Sequence, residues 1–180
     1  MKRLDTSPFA SLGQPKVERI ISPEFIGNKS VHELGGVVID LIPENERGKY
    51  RYWRGASLGA AAYNLTENGF LNTASDPTNA AMHFATGPLG YAYADGIARS
   101  IVQREGYYNT QYPLDMRREI AHRDGYLPTD PTPGIVFALH PDYNDIYLRP
   151  SDRGAREGVV WDGAVTLDMI DEHTRDAFHY

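Results

Sequence analysis

Strand-forming runs crowd into the last third of this chain, and their placement limits the fold more than any other feature. "GIVFALHP" (134–141), "DIYLR" (145–149) and "EGVVWDG" (157–163) are short, rich in β-branched and aromatic residues, and separated by turn chemistry. Ahead of them come "LGGVVIDLIP" (34–43), which its Val-Val-Ile cluster favours as a strand over a brief helix, and the aromatic strand "YRYWRG" (50–55). Helical patterns fill the middle. Strand, helices, then clustered strands is a segregated α+β order, and it argues against a doubly wound sheet of regular βαβ units.

The first helix is the best specified element. Leu58, Ala61, Ala62 and Leu65 recur at helical spacing, Ser57 stands at the N-cap, and Gly69 follows where a left-handed C-terminal residue is needed. "FLNTAS" (70–75) then reads as a short strand delivering Thr73 and Ser75 to Asp76-Pro77, a cap followed by the residue best suited to a first helical position. A second helix is expected to carry Ala80, Ala81, Phe84 and Ala85, a third to run from about Leu89 to Glu105, and a closing one to occupy "TLDMIDEHTRDAF" (166–178). Residues 106–133 form a Pro- and Tyr-rich connection with one short amphipathic helix, where Arg117, Arg118 and Arg123 sit among acids as on a solvated face; its length suits a recognition loop. Residues 1–30 read as a partly ordered arm, leaving 31–180 as one domain.

With 180 residues, 41% hydrophobic and 23% charged, the chain has apolar material for one core and little room for a second. No apolar run approaches the roughly 20 residues that cross a bilayer. "MKRLDTSPFASLGQPK" also lacks the apolar stretch of a secretory signal, so the chain reads as soluble: cytoplasmic, or delivered into a target cell without a cleavable signal peptide. Zero cysteines rule out disulfides, thiol catalysis and thiolate metal sites. A formal charge of −6, with 18 basic residues dispersed among 24 acidic ones, sets up no field for phosphate backbones or anionic lipid. Neither nucleic acid nor a membrane is the expected partner. The six histidines include no HxH or HxxxH pair, so no metal is expected, and there is neither a G-x-S-x-G elbow nor a glycine-rich phosphate motif.

Arg54 is followed at once by Gly55, and Glu157 opens a strand after the turn-like "SDRGAR". Alone, such an arginine is a solvated edge charge and such a glutamate a solvated strand end. In order they form a set: Arg on an early strand, Thr73 or Ser75 before a helix, then Glu at the start of a late strand followed by Asp-Gly and an aliphatic residue. The three segments, "YWRG", "NTASDPTNAAMHFA" and "REGVVWDGAV", together resemble the mono-ADP-ribosyltransferase superfamily over about residues 50–170. The likeness is to the arginine–serine–glutamate branch, which includes cholera-like toxins and bacterial effectors.

The resemblance implies an ADP-ribosyltransferase-like α+β core of two split sheets with flanking helices. It implies NAD as co-substrate and ADP-ribose transfer to a macromolecular acceptor, a protein, by a toxin or effector that an immunity or chaperone protein could accompany. Two alternatives share that fold: an NAD glycohydrolase, in which water takes the acceptor's place, and an inactive interaction module. Glu157, Arg54 and Ser75 are implied as catalytic, and Arg54, Gly55, Thr73, Ser75, Tyr63 and Phe70 as residues that hold NAD. The family's Ser-Thr-Ser is here Thr73-Ala74-Ser75, so either end can supply the supporting hydroxyl; Ala155 stands where arginine-modifying members carry Glu or Gln, which leaves the acceptor open. The chemistry suits these residue types. Breaking the nicotinamide–ribose bond creates oxocarbenium character that a carboxylate such as Glu157 stabilises. The planar fork of Arg54 can grip a phosphate or ribose oxygen, with Gly55 leaving room for the dinucleotide. Tyr63 and Phe70, like Tyr52 and Trp53, either pack around the nicotinamide or belong to the core.

Overall fold

The computed structural model describes residues 17–26, 34–72, 76–103, 133–151 and 158–179. Its elements are β1 (Glu18–Ile20), β2 (Val37–Asp40), β3 (Trp53–Ser57), α1 (Leu58–Asn68), β4 (Ala81–Ala85), α2 (Gly90–Gln103), β5 (Gly134–Ala138), β6 (Arg149–Pro150) and β7 (Gly158–Asp162). Short 3-10 turns lie at Pro23–Phe25, Glu44–Lys49, Pro141–Tyr143, Leu167–Met169 and Arg175–His179. The seven strands form one mixed sheet in the order β1-β2-β5-β3-β4-β7-β6. β1 and β5 flank β2 in parallel, and the remaining neighbours pair antiparallel. The α+β class is as expected, but the two split sheets implied by the resemblance are here one continuous sheet. Its narrowest joint lies between β3 and β4, where Trp53↔Ala85 is the sole register pair, against five between β3 and β5 and five between β4 and β7.

Strand alternation sorts the core onto two faces. Val38, Trp53, Val136 and Ala138 meet Ala94 and Ala98 of α2 on one face; Ile39, Ile135, Phe137, Met82 and Phe84 meet Leu58 and Ala61 of α1, with Ile170 and Phe178, on the other. α1 forms as its sequence dictates: the Ser57 side chain accepts from Ala60 N, and Gly69 at φ 77° closes the helix with its N–H on Leu65 O. α2 sits unusually close to the sheet. A Cβ on Gly55 would lie 2.0 Å from Ala94 O, and one on Gly134 2.4 Å from Ala98 O, so the two glycines cut the groove in which the helix backbone rests.

Six expectations change. Residues 81–85 are a strand, because Met82 and Phe84 bury one face while Ala81, His83 and Ala85 share the other, and full pairing with β7 overrides the alanines' helical preference. Asp76 does not start a helix; its carboxylate accepts from Thr78 N, Thr78 Oγ1 and Asn79 Nδ2 in a tight turn. The closing helix is instead 3-10 turns around an extended Ile170, since the buried Asp171 carboxylate draws Ala138 N, Thr174 N and Thr174 Oγ1 onto itself. Within 70–72 no strand forms; Leu71 N donates to Val165 O, and Asn72 is held to Gly163 and Val165. The strand expected at 145–149 shortens to Arg149–Pro150. Within the stretch read as an arm, β1 pairs with β2, and Ile20 and Ile26 join the core.

Gly55→Ala is expected to destabilise the protein by more than the roughly 1–3 kcal/mol typical of an extra core methyl, because the obstruction is helix backbone rather than a side chain that can turn away. Gly48→Ala, with nothing within 4 Å of the added carbon, should change stability by less than about 0.5 kcal/mol. Urea unfolding of the two variants checks both; equal midpoints would show that α2 does not rest on Gly55.

Candidate functional site

The joint between β3 and β4 is closed by a side chain. Where backbone pairing stops after Trp53↔Ala85, Arg54 Nη1 donates to His83 O at 2.7 Å, taking the place of a ladder bond. The His83 ring faces the next strands: its Nδ1 lies 3.0 Å from Ser151 Oγ, and Ser151 N donates to Gly158 O at 2.9 Å. Arg149 Nε and Nη2 hold Asp162 at 2.6 and 3.0 Å across β6 and β7, and that pairing keeps the Asp162 carboxyl below the usual carboxylate range. His83 thus touches the strand of Arg54 through its carbonyl and the stem of β6–β7 through its ring.

Thr73, Ser75 and Glu157 lie outside the described residues, as do 104–132 of the connection read as a recognition loop. Their described neighbours fix where those segments start. Gly158, next after Glu157, pairs with Ala85, which pairs with Trp53, so the strand following Glu157 and the strand of Arg54 flank the same β4. Asn72, next before Thr73, is anchored past the other end of β7: its Nδ2 donates to Gly163 O at 3.1 Å and its Oδ1 accepts from Val165 N at 2.7 Å. From Gly158 to Gly163 is roughly 17 Å of extended chain. The structure therefore joins Arg54 to the β4–β7 region and sets the start of the Ser75 segment at the far end of it.

Gly55 is corrected: the space over its Cα belongs to Ala94 and Ala98 of α2 and not to a dinucleotide. Tyr63 and Phe70 are 8% and 5% exposed, which favours the core reading for both rings over a place in the site. Ser100 bonds back to Ile97 O within α2. His140 caps the turn at Pro141, and His173 pairs with Glu46 at 3.0 Å. Among the described residues, no group of three or more His, Asp or Glu could hold a metal ion, and no helix is long and apolar enough to cross a membrane.

Sequence reasoning missed a buried charge cluster on the α2 face. Asp40, 2% exposed, accepts from Tyr91 Oη, Arg47 Nη2 (3.2 Å) and Arg19 Nη1 (3.3 Å). Arg19 Nη2 reaches Asp95 Oδ1 at 2.5 Å, Arg99 Nε lies 3.2 Å from the other Asp95 oxygen, and Arg47 stacks 3.9 Å over the Tyr91 ring. The cluster clasps β1, β2, the 44–49 turn and α2 together. One signal was available: Asp40 ends the apolar run "GGVVID", and an acid there must be paired if the strand is buried.

Comparison of the chain with protein-family models, with curated proteins and with solved structures finds no match.

Asp40→Ala would take the carboxylate from the Arg47 guanidinium and the Tyr91 phenol, while Arg19 keeps Asp95. The expected loss is about 2 kcal/mol, below the 3–5 kcal/mol of a wholly buried pair because both arginines still reach water. Chemical denaturation measures it. The tyrosines add a pH dependence. Burial, then Asp171, Glu46 and Glu172, push the Tyr50 phenol up to about 12; burial and the bond to Asp40 push Tyr91 higher still. Phenols harder to ionise when folded keep the folded state protonated, so stability holds below the ordinary tyrosine range near about 10 and falls as pH rises through it. Tyr50→Phe and Tyr91→Phe should each flatten the decline between about pH 9 and about pH 12 in urea titrations. Unchanged slopes would remove these phenols as its source.

Proposed function

We propose that this protein is an NAD-dependent mono-ADP-ribosyltransferase of the toxin or effector kind, acting on a macromolecular acceptor. One observation carries the reading. The three motif segments, spread from Arg54 to Glu157, lead into β3, β4 and β7, which are consecutive neighbours in the sheet. Arg54 occupies the weakly paired joint between the first two.

The chemistry follows from these residues. The bond between ribose C1′ and the nicotinamide nitrogen breaks, its electron pair leaving with nicotinamide, and the sugar gains oxocarbenium character. A lone pair of the acceptor then bonds to C1′, and the acceptor loses its proton. Glu157 meets the positive charge and can hold the 2′-hydroxyl, contributing more to the transition state than to the ground state. Since α2 fills the space over Gly55, the dinucleotide is assigned to the opposite face, to which strand alternation directs Arg54. Water in place of the acceptor gives NAD hydrolysis through the same first step.

Glu157→Gln is expected to keep the wild-type melting temperature and NAD binding and to lose nicotinamide release and transfer together, by about 10²–10³-fold. Asp162→Asn, which breaks only the exposed pair with Arg149, should turn over normally. Nicotinamide release by pure protein and mass spectrometry of labelled lysate read both activities. Loss in the Asp162 variant with normal turnover by the Glu157 variant would sink the assignment.

A further inference from the structure

α2 carries a face that neither the core nor the charge cluster uses. Among the described residues seven large apolar side chains are exposed, and three of them, Leu89 (63%), Tyr93 (55%) and Ile97 (37%), recur at four-residue spacing and so form one row along this helix. Leu89 joins the row because Tyr93 N donates to its carbonyl at 2.9 Å, closing the first turn. Ala92, Gly96 and Ser100 run beside the row at the same spacing. A Cβ on Gly96 would meet nothing within 4 Å, whereas Gly55, Gly90 and Gly134 each have a close neighbour that explains them. Glycine is a poor residue for a helix interior, and nothing packed against α2 among the described residues calls for one at 96. The Ser100 hydroxyl donates back to Ile97 O at 2.8 Å, so it adds no unpaired donor to the groove.

We propose that this face of α2 docks a second copy of the chain, the apolar row of each copy lying in the small-residue groove of the other. Shape and charge both favour a second copy as the occupant. Row and groove lie side by side with equal spacing, so a two-fold axis between them sets each row onto its counterpart's groove, as an isologous interface requires. Rows at i±4 on both helices interlock at a crossing of about −50° with axes about 8–10 Å apart, and Gly96 leaves room for that approach. The chain has a formal charge of −6, so two copies repel one another except where the meeting faces are uncharged. The row and groove carry no charge, and Arg99 at their rim is paired with Asp95 of the same helix at 3.2 Å. A strongly charged partner has no complement there. Area sets the strength. With 14 residues, α2 is about 21 Å long and about 10 Å across, so its face offers on the order of 400 Å² per copy, half of the roughly 800 Å² in a standard interface. The dimer is therefore transient, with a dissociation constant on the order of 10⁻⁴ M.

Sedimentation equilibrium of the full chain between about 10 μM and about 1 mM is the test, and the average mass should climb toward twice that of the monomer across this range. Tyr93→Glu and Ile97→Glu, which place a charge in the row, should each raise the dissociation constant at least about tenfold. Gly96→Ala separates docking from folding: alanine favours the helix and should raise the urea midpoint, while its methyl fills the groove and should weaken the dimer about tenfold. Tyr147→Ser, at a residue 81% exposed outside α2, should leave the dissociation constant unchanged. A chain that stays monomeric at about 1 mM overturns the proposal, and so does a dimer that survives Ile97→Glu or is indifferent to Gly96→Ala. Pelleting of a monomeric chain with phosphatidylcholine vesicles, abolished by Ile97→Glu, would assign the face to a lipid surface and overturn it equally.

Discussion

The seat of α2 on Gly55 and Gly134 is the contact on which the rest of this structure depends. Neither position can carry a side chain, since the carbonyl oxygens of Ala94 and Ala98 occupy the space where a Cβ would lie. That closeness lets alanines serve as the helix's buried face, and it brings Tyr91 and Asp95 down to the level of the strands. Asp40 ends β2 there and receives Tyr91, while Arg19 on the edge strand bridges Asp40 and Asp95. A helix held further out by larger residues would leave the Asp40 carboxylate buried without its phenol. The edge strand would then be tied by three residue pairs and little else.

The same seat divides the sheet into unequal parts. α2 lies over β2, β5, β3 and the near side of β4, and the charge clasp ties down the edge beyond them. From β4 outward the strands pair well among themselves but join the first group through Trp53↔Ala85, the Arg54 bond to His83 O, and the strap that holds 70–72 to 163–165. A partly buried guanidinium on a carbonyl acceptor is a stronger tie than a neutral ladder bond. Arg54 therefore ties β3 to β4 where the ladder between them ends. An arginine beside a glycine makes sense in these terms: Gly55 faces the helix, and Arg54, on the other side of the strand, reaches across to the carbonyl of His83.

What was legible in the sequence follows the range of the forces involved. α1 was fixed locally by Ser57, Gly69 and the 58-61-62-65 spacing, and it formed with those caps. β2, β3, β5 and β7 were marked by β-branched runs. Residues 81–85 misled because alanine is at home in helices, while the decision belonged to β7, some eighty residues away. The closing segment misled for a similar reason: its apolar spacing suits a helix, but Asp171 is drawn into the core by Ala138 N, a partner from another part of the chain. Arg54, a solvated edge charge when read alone, stood out only through its order with Thr73 or Ser75 and Glu157. The Asp40 cluster did not stand out, because Arg19, Arg47 and Asp95 each look like ordinary surface residues until the fold gathers them. Gly55 was legible as a close approach, but its neighbour proved to be a helix.

Two of the three buried acids among the described residues, Asp171 and Asp40, show how differently burial is compensated. Asp171 is met by neutral donors alone, two backbone N–H groups and the Thr174 hydroxyl, and burial still raises its carboxyl above the ordinary range. Asp40 is met by two arginines and a phenol, so the cost of desolvation is offset by charge, and the burden moves to Tyr91, whose proton is held more tightly. The first arrangement fastens a chain end to β5 without any need for strict ionic geometry. The second requires three elements to arrive together, and that makes it a device for register. Arg19 can reach both Asp40 and Asp95 only when β1 is paired with β2 at Glu18↔Val37 and α2 has settled into its glycine groove.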